Sequence, residues 1–253
     1  MKVIIWNLNG RSTVIAEGAV ALISNSLKNE NPGLIILTEY VPTPGLIDKL
    51  SDVYDICVNK EIENNGIIIG VRKGMFNIEQ NDASEFLDES DSNPNFLCVP
   101  IKSDGKILFT IIGCRVKTGE SDDKDFQNRK LQVINLLKKV EKINSPIILG
   151  GDFNNGWFSE KDLFEKNISE LYADKPRQYY NYLLLKSLME RHGFKVNTPQ
   201  GRSWKNFRLD HIFTTDTVNV GEISYNWNFQ NTPNSQEQIG FPDHALLIAN
   251  LNL

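Results

Sequence analysis

The segment Pro146-Ile147-Ile148-Leu149-Gly150-Gly151-Asp152-Phe153-Asn154 joins a short apolar run to polar side chains. A short aliphatic run bounded by glycine is typical of a buried β-strand rather than of a helix. The acidic and amide residues that follow would be displayed at the end of a rigid strand, where binding and catalytic groups concentrate. The segment therefore predicts a core strand over Pro146 to Gly150, with candidate site residues Asp152 and Asn154 beyond its end.

Four other segments repeat this combination of an apolar strand and adjoining polar residues. Taken singly, a carboxylate at a strand end is typical of a turn or of a helix N-cap. Together, the five segments supply carboxylate, amide and imidazole groups that one fold could bring to one site. The four further groups are Asn7 after Val3 to Trp6, Glu39 after Leu34 to Thr38, Asp210 and His211 within Leu209 to Thr214, and Asp243 and His244 where His244 to Leu251 begins.

The rest of the chain predicts a fold in which strands outnumber helices. Helices are expected from the N-cap Ser12 to Asn31, from about Asp122 to Ile143, and from about Gln178 to His192. Several strands follow one another directly, so the steady alternation of a doubly wound parallel sheet is missing. We therefore predict an α+β fold of two packed sheets with helices on their outer faces. The other predicted strands are Tyr54 to Val58, Gly66 to Arg72, Asn95 to Ile101, Ile107 to Arg115 and Val218 to Tyr225.

The composition is that of an ordinary globular protein. The 253 residues are 40% hydrophobic and 23% charged, which argues against disorder and fits a single domain over residues 1–253. The formal charge of −5 argues against attachment to nucleic acid or membrane by bulk charge alone. No apolar run approaches the roughly 18 to 20 residues of a membrane span, and no secretory signal precedes the first strand. We therefore expect a soluble, cytoplasmic protein.

The sequence favours a cation with oxygen ligands over zinc. Cys57, Cys98 and Cys114 are widely spaced and odd in number, so we expect buried, reduced thiols rather than disulfides or a thiolate metal site. Only three histidines are present, whereas carboxylate and amide oxygens suit Mg²⁺, Mn²⁺ or Ca²⁺. The segment from Asp152 does not fit a calcium-binding loop, because its glycine comes one position early and Leu163 stands where glutamate is needed. Motifs of nucleotide kinases, dinucleotide oxidoreductases, serine hydrolases and zinc proteases are also missing.

Five motifs resemble, in their order, those of the endonuclease/exonuclease/phosphatase superfamily, and they span almost the whole chain. The resemblance implies a four-layer α/β/β/α sandwich of two mostly antiparallel sheets, in agreement with the two-sheet fold predicted from the order of elements. It also implies a site at one edge of the sandwich, where the loops after the strands converge. The motifs are Trp6-Asn7-Leu8-Asn9-Gly10, Leu37-Thr38-Glu39, Gly151-Asp152-Phe153-Asn154, Arg208-Leu209-Asp210-His211 and Pro242-Asp243-His244.

The resemblance implies a site for a divalent cation, Mg²⁺ or Mn²⁺. Glu39 would bind the cation directly, because an anionic oxygen at a strand end suits a hard metal. Asn7 would add an amide oxygen or hold the waters of the metal, and Asp243 would be a second carboxylate near it. Substrate contacts would come from Asn9, Arg115 and Trp204.

The resemblance also implies hydrolysis of a phosphate ester by water. Asp152 would orient and deprotonate the water, and Asn154 would hydrogen-bond the scissile phosphate. His244 would contact a phosphate oxygen as an imidazolium or act as the base, with Asp210 accepting its other N–H. The sequence does not decide which group is the base. In either case the metal and the imidazole would neutralise charge that grows on the phosphate oxygens.

Two positions depart from the pattern of the superfamily. Arg115 stands where many members place a histidine or a tyrosine, and a guanidinium can bridge phosphate oxygens but cannot act as an acid at neutral pH. A solvent-facing strand arginine is the alternative. Only three residues separate Trp204 from Arg208, whereas abasic-site endonucleases usually carry a longer loop there, so the sequence argues against that repair role.

The sequence thus predicts a Mg²⁺- or Mn²⁺-dependent phosphoesterase, with the phosphodiester of DNA or RNA as the leading substrate. The acidic net charge leaves open a phosphatase or phosphodiesterase for a small or lipid-derived phosphate. Arg115 leaves open a non-catalytic binding module with the same fold. The mildly basic segment 161–208 is the best candidate surface for an anion, and Arg177, Tyr179, Tyr180 and Tyr182 within it belong either to a substrate clamp or to the core.

Overall fold

A computed structural model gives the fold of residues 1–10, 17–59, 65–86, 90–156, 175–205, 207–229 and 241–253. The strands are β1 (Lys2–Asn7), β2 (Leu34–Tyr40), β3 (Tyr54–Val58), β4 (Gly66–Arg72), β5 (Asn95–Ser103), β6 (Lys106–Arg115), β7 (Ile147–Asp152), β8 (Phe194–Asn197), β9 (Asp210–Thr215), β10 (Asn219–Asn226) and β11 (Leu246–Asn252). The helices are α1 (Ala19–Glu30), α2 (Leu46–Ser51), α3 (Asp123–Val140), α4 (Lys175–Tyr179) and α5 (Tyr182–Arg191).

The strands form two sheets, each mostly antiparallel. The larger sheet has the order β10-β11-β1-β2-β4-β3, and the smaller sheet has the order β5-β6-β7-β9-β8. Each sheet holds one parallel pair, β1 with β2 and β6 with β7, and a helix lies between the two strands of each pair in the chain. Because parallel strands point the same way, the residues that end them lie at the same edge of their sheet.

The two sheets pack face to face, and helices cover their outer faces. In β1, Val3 and Ile5 belong to the core between the sheets, whereas Ile4 and Trp6 pack in the core that includes residues of α1 and α2. In β7 the same alternation places Ile148 between the sheets. Strands buried on both faces read as continuous apolar runs, which is why their sequences show no polar alternation. The four-layer α/β/β/α sandwich predicted from the sequence is confirmed.

The helices differ from the prediction in three respects. α1 ends before Asn31 as predicted, but it begins only at Ala19 with Gly18 as its N-cap, and the predicted N-cap Ser12 lies outside the described residues. The third predicted helix is two helices, because the side chain of Asn181 accepts hydrogen bonds from the N–H groups of Leu183 and Leu184 and so begins α5 anew. The short helix α2 was not predicted.

The thiols and the hydropathy of the helices agree with the sequence analysis. Cys57, Cys98 and Cys114 are buried and free, as expected. Within the described ranges, every helix is too short or too polar to cross a membrane.

Candidate active site

The register of the strands brings the polar motifs to one edge of the sandwich. In the smaller sheet, Arg115 of β6, Asp152 of β7 and Asp210 of β9 are direct neighbours across the strands. In the larger sheet, Asn7 ends β1 and Glu39 lies near the end of the parallel strand β2. Hydrogen bonds between side chains of the two sheets, from Asn7 to Asp152 and from Arg115 to Glu39, join these groups into one site.

Asp152 is held by three hydrogen bonds. Its Oδ2 accepts from Asn7 Nδ2 at 2.9 Å and from Asn154 Nδ2 at 3.0 Å, and its Oδ1 accepts from the backbone N–H of Asn154 at 2.9 Å. Burial, and then the negative charge of Asp210, raises the pKa of Asp152 to about 6. A carboxylate with this pKa is ionised at neutral pH and can accept a proton from water.

Asn154 supports Asp152 in this arrangement. Its Nδ2 donates to Asp152 Oδ2 and also, at 2.9 Å, to the carbonyl oxygen of Val116. Its backbone has a φ of +45°, and its carbonyl oxygen accepts a hydrogen bond from Arg129 Nη1 at 3.0 Å. Because both N–H groups of the Asn154 amide have protein partners, the phosphate contact expected for it would require the loss of one of them.

Glu39 and Arg115 form a buried ion pair that links the two sheets. Glu39 Oε1 accepts from both Nε and Nη2 of Arg115, each at 2.8 Å, and the two side chains are 1% and 5% exposed. The register of β2 with β4 shifts between Leu37 and Tyr40, and Glu39 has a φ of +53°. Such a bulge re-aims a side chain. The alternative of a solvent-facing arginine at position 115 is therefore wrong.

His244 and Asp210 form a buried pair at the same edge. His244 Nδ1 lies 2.7 Å from Asp210 Oδ2. Burial opposes a charge on His244, but the carboxylates of Asp210, Asp152 and Asp243 outweigh it and raise the pKa of the imidazole to about 9. The imidazole is therefore positively charged at neutral pH, and its Nδ1–H is donated to Asp210.

Asp243, Trp204 and Asn9 surround this pair. Trp204 Nε1 donates to Asp243 Oδ2 at 2.8 Å, and the Trp204 and His244 rings have their centroids 6.1 Å apart. Asp243 Oδ1 lies 3.8 Å from His244 Nε2. Asn9 donates its backbone N–H to Asn7 Oδ1 at 2.8 Å and its Nδ2 to the carbonyl oxygen of Phe241 at 3.0 Å. The structure thus brings all ten predicted site residues to one region.

Several predicted candidates lie outside the site. His211 is fully buried between Thr198 Oγ1 and Asn155 Oδ1, each 2.8 Å from a ring nitrogen, and burial, followed by the charge of Arg208, lowers its pKa to about 3. It is a neutral core residue. Tyr180 and Tyr182 are also buried, which favours the core over the substrate clamp for these two tyrosines.

The residues that hold the site groups in place were not predicted from the sequence. Ser203 Oγ accepts the backbone N–H groups of Leu209 and Asp210, and Tyr225 donates its hydroxyl to the carbonyl oxygen of Asp210 at 2.6 Å. Arg129 of α3, which holds Asn154, carries a detectable signal. It lies three residues after Phe126 and four before Val133, on the apolar face of the helix, where a buried arginine needs a polar partner.

The donor set fits a partly hydrated divalent cation. Glu39 and Asp243 offer carboxylate oxygens and Asn7 an amide oxygen, which are hard ligands. Asp210 Oδ1 is buried and accepts no hydrogen bond from the described residues, so the site retains an unused anionic oxygen. Within the described part of the chain, no group of three or more His, Cys, Asp or Glu side chains is arranged to hold a metal ion. Mg²⁺ does not need such a group, because it commonly keeps several waters and binds one or two carboxylates.

An α/β/β/α sandwich with buried carboxylates and a charged imidazole at one edge defines a class of protein equipped to hydrolyse phosphate esters. The sequence matches the model of the Endonuclease/Exonuclease/phosphatase family over residues 4–232, and the chain belongs to that family. Members of the family are metal-dependent phosphoester hydrolases, so the enzyme class predicted from the motifs is confirmed. A comparison with curated protein sequences gave no match.

Solved structures share the whole fold at low sequence identity. The 3' phosphatase NExo from Neisseria, bound to a product DNA hairpin, is 16% identical with a TM-score of 0.70, and the match covers 100% of both chains. TDP2 from D. rerio, complexed with single strand DNA product, is 14% identical with a TM-score of 0.67, covering 100% of this chain and 99% of that one. The human Nocturnin catalytic domain with a bound sulfate anion is 14% identical with a TM-score of 0.67, covering 100% and 93%.

Proposed function

We propose that the protein is a Mg²⁺- or Mn²⁺-dependent phosphoesterase that hydrolyses phosphodiester or terminal phosphate bonds of a nucleic acid. The observation that carries this proposal is the convergence of Glu39, Asp152 and the Asp210–His244 pair at one edge of the two sheets. This set contains a candidate metal ligand, a candidate base and a buried cation, which hydrolysis of a phosphate ester requires.

Each side chain has a role that its contacts support. Glu39, Asn7 and Asp243 would hold the cation, which when bound supplies positive charge to the phosphate oxygens. Asp152, with its pKa near 6, would take a proton from the attacking water. His244, charged and held by Asp210, would donate a hydrogen bond from Nε2 to a phosphate oxygen. Asn154 would hold Asp152 in position.

Paired basic and aromatic side chains near the site support a nucleic-acid substrate. Lys205 Nζ lies 4.5 Å from the centre of the Trp204 ring, and Arg177 Cζ lies 4.9 Å from the centre of the Phe207 ring. Proteins that bind unpaired strands combine basic groups for the phosphates with aromatic rings for the bases. All four of these groups lie within the segment 161–208, which is mildly basic in sequence. The similar structures of NExo and TDP2 contain DNA products.

Hydrolysis of a defined substrate panel tests the proposal. Purified protein should hydrolyse DNA, RNA or bis(p-nitrophenyl) phosphate only when Mg²⁺ or Mn²⁺ is present, and His244→Ala should abolish the activity. His192→Ala is a matched control, because His192 lies at the end of α5 and pairs with Glu141. Hydrolysis that persists both with a chelator and in His244→Ala would overturn the assignment.

A small or lipid-derived phosphate is a second candidate, which the net charge of −5 favours. A polyanion should release counterions on binding, so KM for a nucleic acid should rise steeply with salt, whereas KM for a small phosphate should not. Release of inorganic phosphate from an inositol phosphate, with nucleic acids left intact, would decide for this candidate. The non-catalytic binding module is disfavoured, because members of the family are metal-dependent phosphoester hydrolases. The expected cytoplasmic location stays a prediction.

A further inference from the structure

Arg115 forms an ion pair with the carboxylate of Glu39, which is the first candidate to bind a metal. Two guanidinium nitrogens of Arg115, Nε and Nη2, both lie 2.8 Å from the same oxygen, Glu39 Oε1. Both side chains are almost completely buried, so water screens their attraction very little. The guanidinium is permanently charged, which means that Glu39 has an internal cation at every physiological pH.

A guanidinium and a divalent metal bound to the same carboxylate would be two positive charges close together. Positive charges close to each other repel strongly in a buried site, so a metal on Glu39 works against Arg115 in its present position. The pair also has a structural value, because removing one partner of a buried ion pair leaves the other charge uncompensated. Arg115 therefore holds Glu39 in place, and its charge opposes a cation at the same carboxylate.

We propose that Arg115 is a positioning residue that competes with the divalent metal for Glu39 and thereby weakens metal binding in the free enzyme. This inference rests on the proposed function only in taking Glu39 as a metal ligand. It predicts that neutralising Arg115 strengthens metal binding. A merely structural arginine predicts the opposite, because its loss would disorder Glu39 and weaken binding.

Calorimetric titration with Mn²⁺ alone tests the proposal, at pH 7.5 and without any substrate. Arg115→Gln keeps a hydrogen-bond donor but no charge, and its Kd for Mn²⁺ should be about five- to tenfold lower than that of the unsubstituted protein. Arg115→Lys keeps the charge, and its Kd should stay close to the unsubstituted value. Lys102→Gln is the control for net charge. Lys102 lies on β5, away from the site edge, and its partner is Asp82.

Thermal unfolding gives a second readout that does not depend on activity. Without metal, Arg115→Gln should melt below the unsubstituted protein, since Glu39 is then buried without its partner. Saturating Mn²⁺ should raise its Tm by more than it raises the Tm of the unsubstituted protein, because tighter binding stabilises the folded state more.

The outcomes separate this inference from the proposed function. An unchanged or higher Kd for Mn²⁺ in Arg115→Gln overturns the competition, and so does the lack of Mn²⁺ binding by all four proteins. If Arg115→Gln is unfolded without metal, its refolding is followed as Mn²⁺ is added. Recovery of the fold at or below the Mn²⁺ concentration that half-saturates the unsubstituted protein supports the competition. Failure to recover overturns it. Hydrolysis enters none of these measurements, so an inactive protein that shows the expected Kd change would refute only the proposed function.

Discussion

Asp152 and His244 have complementary charges because the same carboxylates act on both. Asp152 and Asp210 face each other across β7 and β9, and their mutual repulsion, added to burial, raises the pKa of Asp152. The same Asp210 stabilises the imidazolium of His244 and raises its pKa. One strand pair therefore separates the two pKa values, to about 6 and about 9, and leaves a base and a cation together at neutral pH.

The pH dependence of hydrolysis should follow these two values. Below about pH 6 Asp152 is protonated and cannot accept a proton from water, and above about pH 9 His244 loses its charge. We therefore expect kcat/KM to fall on both sides, with apparent pKa values near 6 and 9 that belong to the coupled site. Steady-state rates between pH 5 and pH 10 at saturating metal check this.

Asp210→Asn tests the origin of the alkaline limb. Without the Asp210 charge the pKa of His244 should be lower, so the alkaline limb should move to lower pH by about one unit or more, together with a loss of rate. Asp216→Asn is the matched control, because Asp216 is exposed and pairs only weakly with Lys195. An alkaline limb that stays in place in Asp210→Asn would contradict the assignment to His244.

The raised pKa of His244 should also make the free energy of unfolding depend on pH. A histidine with a raised pKa stabilises the fold fully below its ordinary value of about 6.5, and this contribution is lost as the pH rises through about 9.

At the scale of elements, helix α3 supports the loop that follows β7. Arg129 donates from Nη1 to the carbonyl oxygen of Asn154, while its Nε donates to Asp125 Oδ2 at 3.1 Å. Asn154 has a left-handed backbone and holds Asp152 through two hydrogen bonds. The helix thus fixes an unfavourable local conformation that places the carboxylate.

Arg129→Met should lower kcat more than it raises KM, because it disturbs the orientation of Asp152 without removing a substrate contact. Loss of a supporting hydrogen bond of this kind typically costs about 10- to 100-fold in activity. Arg129→Lys, which keeps a charge for Asp125, should recover part of the loss, and Lys138→Met on the exposed face of α3 should change nothing. An equal loss in Arg129→Met and Arg129→Lys with an altered circular dichroism spectrum would indicate a general folding defect instead.

The sequence predicts the elements better than the contacts between them. Apolar runs such as Ile147 to Leu149 identify buried strands, because the sandwich buries both faces of each sheet. β8 escaped prediction because Phe194–Asn197 is a four-residue edge strand, too short for a recognisable pattern. The partner of Arg115 could not be predicted either, because Glu39 is 76 residues away and the contact depends on how the two sheets stack.

For the candidate site, too, the sequence predicts which residues come together but not all of their contacts. Motif order was enough to predict that Asp152, Asp210 and His244 meet, because each lies at a strand end that the fold brings to one edge. The Asn154 amide is held by protein groups because its Nδ2 donates to the carbonyl oxygen of Val116. That backbone group is one that no pattern of side chains in the sequence reveals.

At the scale of the molecule, both ends of the chain build the site. The backbone nitrogen of Met1 donates to the carbonyl oxygen of Leu251 at 2.6 Å, and β1 pairs with β11 in the middle of the larger sheet. Trp6 Nε1 donates to the carbonyl oxygen of His244 at 2.9 Å, so the first strand also positions the catalytic candidate near the C-terminus. These contacts support the proposal that residues 1–253 fold as one domain.

Leu247→Ala should therefore destabilise the fold and the site together. Leu247 is fully buried in the core between the sheets and pairs with Ile5, so its truncation should lower the free energy of unfolding by about 2–5 kcal/mol. Thermal unfolding followed by far-UV circular dichroism, by tryptophan fluorescence and by loss of Mn²⁺ binding should give one shared midpoint, lower in the variant by the same amount for every probe. Asn250→Ala, at an exposed position of the same strand, should leave the midpoint unchanged. Separate midpoints for the probes would contradict a single domain, because the larger sheet would then unfold independently of the smaller sheet that carries Asp152 and Asp210.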